Sequence, residues 1–250
     1  HRDLHSFPTR RSSDLHNFAI STYFNPARFT SERLFTVSNF ATTQQVSDAL
    51  NAGRGWMVYS GHGNAISWAD GPEFTQQNVN AATNTVYPLV LSFACLTGNY
   101  TQPECFAETW IRSEHGALAY WGSTVNSYWD EDDVLERKVM KAFFEDGYTW
   151  IGGALDAAKM EFYSFYGDIG RTRRYLEMYN LMGDTSINVN TALTGDLEVT
   201  HAATLPNGSV SFEVETDVIG AVATLLTGGV PIGTAIVNEF GLAAIPLPGE

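Results

Sequence analysis

The chain reads as an α/β protein, a three-layer arrangement with a parallel sheet flanked by helices, followed by a truncated all-β segment. Three observations predict this. Short apolar runs bounded by turn residues alternate with stretches of helical periodicity up to about residue 190. Residues 191–250 then contain no Lys, Arg, Trp or Tyr, and strand-like runs separated by Pro206-Asn207-Gly208 and Gly228-Gly229 replace the helical signal. The 250 residues carry 44% apolar and 13% aromatic side chains, enough for a sizeable core and too many for a disordered chain.

Each element follows in order. Residues 1–15, HRDLHSFPTRRSSDL, match the in-frame translation of a common short-read sequencing adapter. They are expected to be an artefact without structure, with the gene's own frame entered part-way. Without them the formal net charge moves from −14 to −15. Thr42 or Thr43 caps a helix to about Ala52, stopped by Gly53. Trp56-Met57-Val58-Tyr59 is a short apolar strand, and Thr75 caps a helix to about Ala82. Leu89 to Ala94 is a buried strand, and 104–113 is helical. Ala117 to Trp121 is another buried strand. Val134, Leu135, Val139, Phe143 and Phe144 form a stripe at helical spacing, ended by Gly147. Helices over 149–165 and 171–181 close the part spanning 16–190.

In residues 191–250, Leu197–Thr200, Ser209–Thr216 and Ala221–Leu226 read as strands. Val218 to Val237 runs twenty residues without a charge. Glycines and Pro231 interrupt it, and Asp217 and Glu239 flank it, so it predicts two strands and a turn rather than a membrane span. About sixty residues are too few for a seven-stranded sandwich, so this segment is expected to be partial.

Composition narrows the function classes. Lys+Arg 14 against Asp+Glu 28 gives an acidic surface, so neither nucleic acid nor an anionic membrane is an expected partner. Two cysteines exclude a disulfide-dense scaffold and a four-cysteine zinc site. Cys95, Cys105 and His115 lack the compact spacing of a metal site.

The chemistry concentrates at two strand ends, Tyr59-Ser60-Gly61-His62-Gly63 and Phe93-Ala94-Cys95-Leu96-Thr97-Gly98. His62 precedes Cys95 by 33 residues with one predicted helix between, so a βαβ crossover would set both at the carboxyl edge of neighbouring parallel strands. A cysteine thiol becomes a strong nucleophile only with a proton acceptor or positive field nearby. Imidazole is the side chain suited to take and return that proton near neutral pH. The glycines around His62 allow close backbone approach, and the N–H groups of Gly63 and Cys95 suit an oxyanion hole. Taken singly, either residue also fits a packing role. Trp68 and Asp70 fit the cleft or a packing and turn role equally.

The pieces YSGHG (59–63), SFACLTG (92–98), CFAETWI (105–111), GSTVNSYW (122–129) and YNLMGDTS (179–186) occur in an order that resembles the gingipain family of cysteine peptidases. The resemblance implies a caspase-like catalytic fold over 16–190 and a partial immunoglobulin-like domain over 191–250. It implies that His62 is the catalytic histidine, Cys95 the nucleophile, and Gly63 and Cys95 the oxyanion donors. It places Trp129 and Tyr128 at the primary specificity pocket. Tyr128-Trp129-Asp130-Glu131-Asp132 is similar to the Tyr-Trp-x-x-Asp segment of lysine-specific members, which would set Asp132 against a Lys or Arg cation. The same acidic run fits a solvated helix start favoured by the macrodipole. The resemblance implies a protein or peptide substrate, secretion or a cell-surface location, no required cofactor, and room for structural calcium with no legible ligand set. Two other readings stay open: a sortase-like transpeptidase of the same family, and an inactive surface or adhesion module.

Overall fold

A computed structural model describes residues 8–27, 29–193 and 197–248. The chain divides after Leu193 into two compact units. The first opens with helix α1 (Pro8–Ala19), which runs on into a π-helical turn over Ile20–Phe24. The expectation of disorder up to residue 15 is corrected here for 8–15, since these residues are helical and Leu15 is buried. Pro8 suits a first turn because its missing N–H has no partner to lose there. The rest of the set-aside stretch, 1–7, lies outside the described residues.

Helices α2 (Thr36–Asn39) and α3 (Thr43–Asn51) follow. Thr42 caps α3: its hydroxyl accepts the Gln45 N–H at 3.3 Å, and the Gln45 side chain accepts the Thr42 N–H at 2.9 Å. Gly53 leaves the helix at φ +82, a left-handed conformation that favours glycine. Strand β1 (Trp56–Ser60) leads into a small antiparallel sheet of β2 (Gly63–Asn64), β3 (Ser67–Trp68) and β4 (Phe74–Thr75). Thr75 caps α4 (Gln76–Asn80) by the same reciprocal pattern. Then come β5 (Leu89–Phe93), α5 (Phe106–Arg112), β6 (Ala119–Ser123), α6 (Trp129–Phe144), α7 (Ile151–Tyr166), α8 (Gly170–Met178) and β7 (Tyr179–Met182).

The main sheet has the order β1-β5-β6-β7. The first three strands are parallel, as the alternation of elements predicts. Two features depart from that prediction. β7 runs antiparallel to β6, and the helix expected over 171–181 ends at Met178. Both have one physical cause. Lys159 of α7 donates to the carbonyls of Leu176 at 2.9 Å and Tyr179 at 2.7 Å, and β6 offers an edge that pairs Tyr179–Met182. Tertiary partners thus override local helical preference.

Alternation along the buried strands builds two cores. Leu89, Leu91, Phe93, Ala119 and Trp121 face a cluster with Leu135, Val139, Phe143, Ala154 and Phe162 of α6 and α7. Val90 and Tyr120 face the opposite way, toward Val46, Leu50, Val79, Phe106 and Trp110 of α3, α4 and α5. Each fully buried large side chain contributes about 1.5–3 kcal/mol. β1 is one rim of the sheet; among the described residues its main-chain partner is β5 alone.

The second unit contains β8 (Val199–His201), β9 (Ser211–Thr216), β10 (Val222–Thr227), β11 (Val230–Ile236) and β12 (Leu242–Pro246). β12, β9 and β8 form an antiparallel sheet. β10 and β11 form a hairpin turning at Gly228 and Gly229, which take φ +57 and +84. The uncharged run 218–237 is therefore two strands and a turn. Among the described residues, no helix is long and apolar enough to cross a membrane.

Candidate active site

The site begins with strand register. Ser60 of β1 pairs with Phe93 of β5, so His62 and Cys95 each lie two residues past the same rung of a parallel ladder. The Gly61 N–H extends the ladder to the Phe93 carbonyl at 3.3 Å. His62 is exposed and Cys95 half-buried, which suits an imidazole open to solvent and a thiol at the mouth of a sheet. The backbone after each strand then turns sharply. Leu96 takes φ +64, a left-handed conformation uncommon for a side chain larger than glycine. Its N–H donates to the Val125 carbonyl at 3.1 Å, and the Gly98 N–H donates to Ser123 at 2.9 Å. These bonds clamp the cysteine turn to the segment following β6.

Gly63 explains the glycine after the histidine. A methyl group there would stand 2.8 Å from the Cys95 carbonyl oxygen and 3.0 Å from Ala94 Cβ. The histidine loop therefore lies directly against the cysteine turn, and only a missing side chain allows it. The loop is held from the other side by Asp70, whose Oδ1 accepts the His62 N–H at 2.8 Å and the Tyr59 hydroxyl at 3.1 Å. Trp68 belongs to the core: it is 3% exposed, stacks on Tyr59 at 4.5 Å and donates to Ser92.

The third wall is the start of α6. The Trp129 ring meets the His62 ring edge-on at 5.5 Å. Tyr128, at the N-cap of α6, is exposed, and the guanidinium groups of Arg171 and Arg174 cover its ring. Asp132 departs from the solvated-helix expectation, because it is 6% exposed. Its Oδ2 accepts the Ser127 hydroxyl at 2.6 Å. Its Oδ1 accepts the hydroxyls of Tyr179 at 2.6 Å and Tyr175 at 3.0 Å. Burial pushes the Asp132 carboxyl up to about 6, and the three hydroxyl bonds hold it from rising further. A carboxylate offers about four acceptor positions. Among the described residues three are taken, two on Oδ1 and one on Oδ2, so the remaining one is on Oδ2.

Ser127 joins this acid to Cys95. The Cys95 Sγ lies 3.7 Å from the Ser127 carbonyl oxygen and 3.9 Å from its hydroxyl. Sequence reasoning missed Ser127, Tyr175 and Tyr179. The tyrosines stand at i and i+4, which reads as a core stripe, and nothing local marks a hydroxyl that reaches across to another helix. Cys105 is a free thiol, fully buried, and that burial pushes it up to about 11, which disfavours the thiolate there.

A cavity of about 250 Å³ runs along the rim of β1, lined by Trp56, Val58, Ser60, Glu136 and Trp129 among others. It shares Trp129 with the site, but neither His62 nor Cys95 lines it. Among the described residues, no group of three or more His, Cys, Asp or Glu side chains is placed to hold a metal ion, so no residues are assigned to calcium.

A family model described as peptidase family C25 matches residues 9–190, beginning inside the stretch that reads as adapter. Lys-gingipain of Porphyromonas gingivalis is 31% identical over 222 residues, covering 78% of this chain and 13% of that protein. Gingipain R2 of the same organism is 30% identical over 220 residues, covering 82% of this chain and 29% of that protein. The crystal structure of the Arg specific cysteine proteinase gingipain R superposes with a TM-score of 0.65 at 28% identity, over 84% of this chain and 50% of that one. The chain thus spans less than a third of these two curated relatives.

Proposed function

Since the chain belongs to peptidase family C25, we propose that it is a cysteine endopeptidase that cleaves after a basic residue, lysine in preference. Cys95 is the nucleophile and His62 the general acid–base. The thiolate attacks the scissile carbonyl, forming a tetrahedral oxyanion that the N–H groups of Gly63 and Cys95 receive. His62 protonates the departing amine, then activates a water that hydrolyses the thioester. The observation that carries this reading is the shared rung Ser60–Phe93, from which both groups exit side by side.

Asp132 supports the preference for a cation. It is buried, it sits one hydroxyl away from Cys95 Sγ, and its Oδ2 keeps one acceptor position. Trp129 supplies an apolar wall for the methylene chain that carries the charge. The second unit, with its two sheets, fits the immunoglobulin-like domain that the resemblance implies. Secretion or a surface location is the setting that resemblance suggests.

The test is hydrolysis of lysyl, arginyl and norleucyl peptide substrates by the chain and by Cys95→Ala. We expect Cys95→Ala to abolish cleavage with an unchanged melting curve. Retained cleavage overturns the assignment. An amine-dependent product with little hydrolysis would instead identify a transpeptidase with the same pair. Failure of a lysyl acyloxymethyl ketone to label Cys95 would favour an inactive module.

A further inference from the structure

Ser127 touches two groups with opposite needs. Its hydroxyl donates to Asp132 Oδ2 at 2.6 Å, and the same oxygen stands 3.9 Å from Cys95 Sγ. One proton cannot serve both acceptors at full strength. Rotation of the O–H about the Cβ–Oγ bond moves that proton between them without moving a heavy atom. The oxygen that now receives it, Oδ2, is also the one with a free acceptor position, since Oδ1 already takes Tyr175 and Tyr179.

We infer that Ser127 is a positioning residue that couples recognition of a substrate ammonium at Asp132 to stabilisation of the Cys95 thiolate. The inference rests on the reading of Asp132 as the cation site. In the free protein the hydroxyl compensates the buried carboxylate. A lysine side chain arriving at Oδ2 brings its own N–H donors and a positive charge, and takes over that compensation. The Ser127 hydroxyl then turns its proton to Sγ. No covalent bond forms or breaks in this step: the serine keeps its proton and exchanges one acceptor for another. The nucleophile gains a hydrogen-bond donor only after the correct side chain is bound. Part of the binding energy of the substrate cation is thereby expressed in the reactivity of the thiol rather than in affinity alone.

The groups involved come from four separate elements. Asp132 is on α6, the tyrosines come from α8 and β7, and Cys95 follows β5. A serine that merely filled space would not need a 2.6 Å bond to a carboxylate already holding two hydroxyls.

The experiment compares kcat and KM for lysyl and norleucyl substrates, which share a four-carbon side chain and differ by the terminal ammonium, in the unaltered chain, Ser127→Ala and Ser127→Thr. A hydrogen bond to a charged group corresponds to about tenfold or more in rate. We expect Ser127→Ala to lower kcat for the lysyl substrate by about that factor, to leave kcat for the norleucyl substrate within about twofold, and Ser127→Thr to restore the loss. Ser127→Val, isosteric with the threonine variant, takes the place of alanine if that variant does not fold. A second readout uses n-butylamine as the lysine side chain. It should accelerate alkylation of Cys95 by iodoacetamide in the unaltered chain, and do so markedly less in Ser127→Ala. An equal loss for both substrates, or an equal acceleration in both proteins, overturns the coupling while leaving Asp132 as the cation site. Failure of n-butylamine to compete with the lysyl substrate overturns the cation site, and the coupling with it.

Discussion

Ser60 and Phe93 are register partners in the parallel ladder of β1 and β5, and this single pairing sets His62 level with Cys95. The distance along the chain between the two residues is irrelevant once the strands are paired. What matters is that each lies the same two steps beyond the rung. A one-residue slip would turn every side chain of β1 to the opposite face and carry His62 away from the thiol.

The two cysteines should separate cleanly by reactivity. Cys105 is fully buried and its thiol is pushed up to about 11 by burial. At neutral pH, iodoacetamide followed by peptide mass spectrometry should modify Cys95 and spare Cys105 in the folded chain. In denaturant both should react. Labelling of Cys105 in the native state at a rate comparable to Cys95 would contradict its placement.

Gly63→Ala should be a defect of activity more than of stability. The added methyl meets the Cys95 carbonyl at 2.8 Å, so the histidine loop must move by a fraction of an ångström or more. Misplacement on that scale costs up to about 100-fold in rate. We expect kcat/KM to fall by roughly that factor, with a melting temperature shifted by only a few degrees. A rate within twofold of the parent would show that the loop has slack.

Asp132 gives the protein a pH signature whose sign can be worked out. Its folded carboxyl titrates near 6 against an ordinary value of 3.8, so the folded state holds its proton more tightly than the unfolded chain. The stability linked to that proton is fully present below about pH 4, falls as pH rises toward 6, and is absent above it. The size is up to about 3 kcal/mol. Asp132→Asn should therefore match the parent in acid and gain on it progressively between pH 4 and 6 in thermal melts. If Asp132 meets the substrate ammonium as proposed, cleavage after lysine should fall in the parent as pH drops through 6, because that charge is lost. Tyr179→Phe removes a donor to the charged form and should move both transitions to higher pH.

Lys159 is the predicted weak point of the α8–β7 junction. Its ammonium closes the carbonyls of Leu176 and Tyr179. Lys159→Met leaves both without that donor, at a cost of about 1–3 kcal/mol. Because Tyr179 is one of the hydroxyls on Asp132, the variant should also shift the pH dependence of lysyl cleavage. A stability loss without that shift would mean the strand holds its place unaided.

The sequence carried the local half of this structure. Thr42 and Thr75 announce their helices because capping is decided within four residues. The apolar runs at 56–59 and 89–94 announce buried strands, and their exits announce His62 and Cys95. Asp132 is visible as an acid in a motif, but its burial is not, because the groups that enclose it lie far along the chain at Tyr175 and Tyr179. Ser127 is invisible for the same reason. Tyr179–Leu181 reads as the tail of a helix because it has no alternation to contradict that, and only the edge of β6 and the reach of Lys159 decide otherwise.

β1 carries the histidine at its carboxyl end and forms the rim of the sheet, with a ladder on one side among the described residues. Rim strands open at lower free energy than central ones. Amide hydrogen exchange should therefore be faster along 56–60 than along the central strands β5 and β6. Each such fluctuation releases the imidazole from its post while the thiol, anchored on a central strand, stays put. On heating, the reaction centre should fall silent before the fold gives way, so that loss of turnover precedes loss of secondary structure.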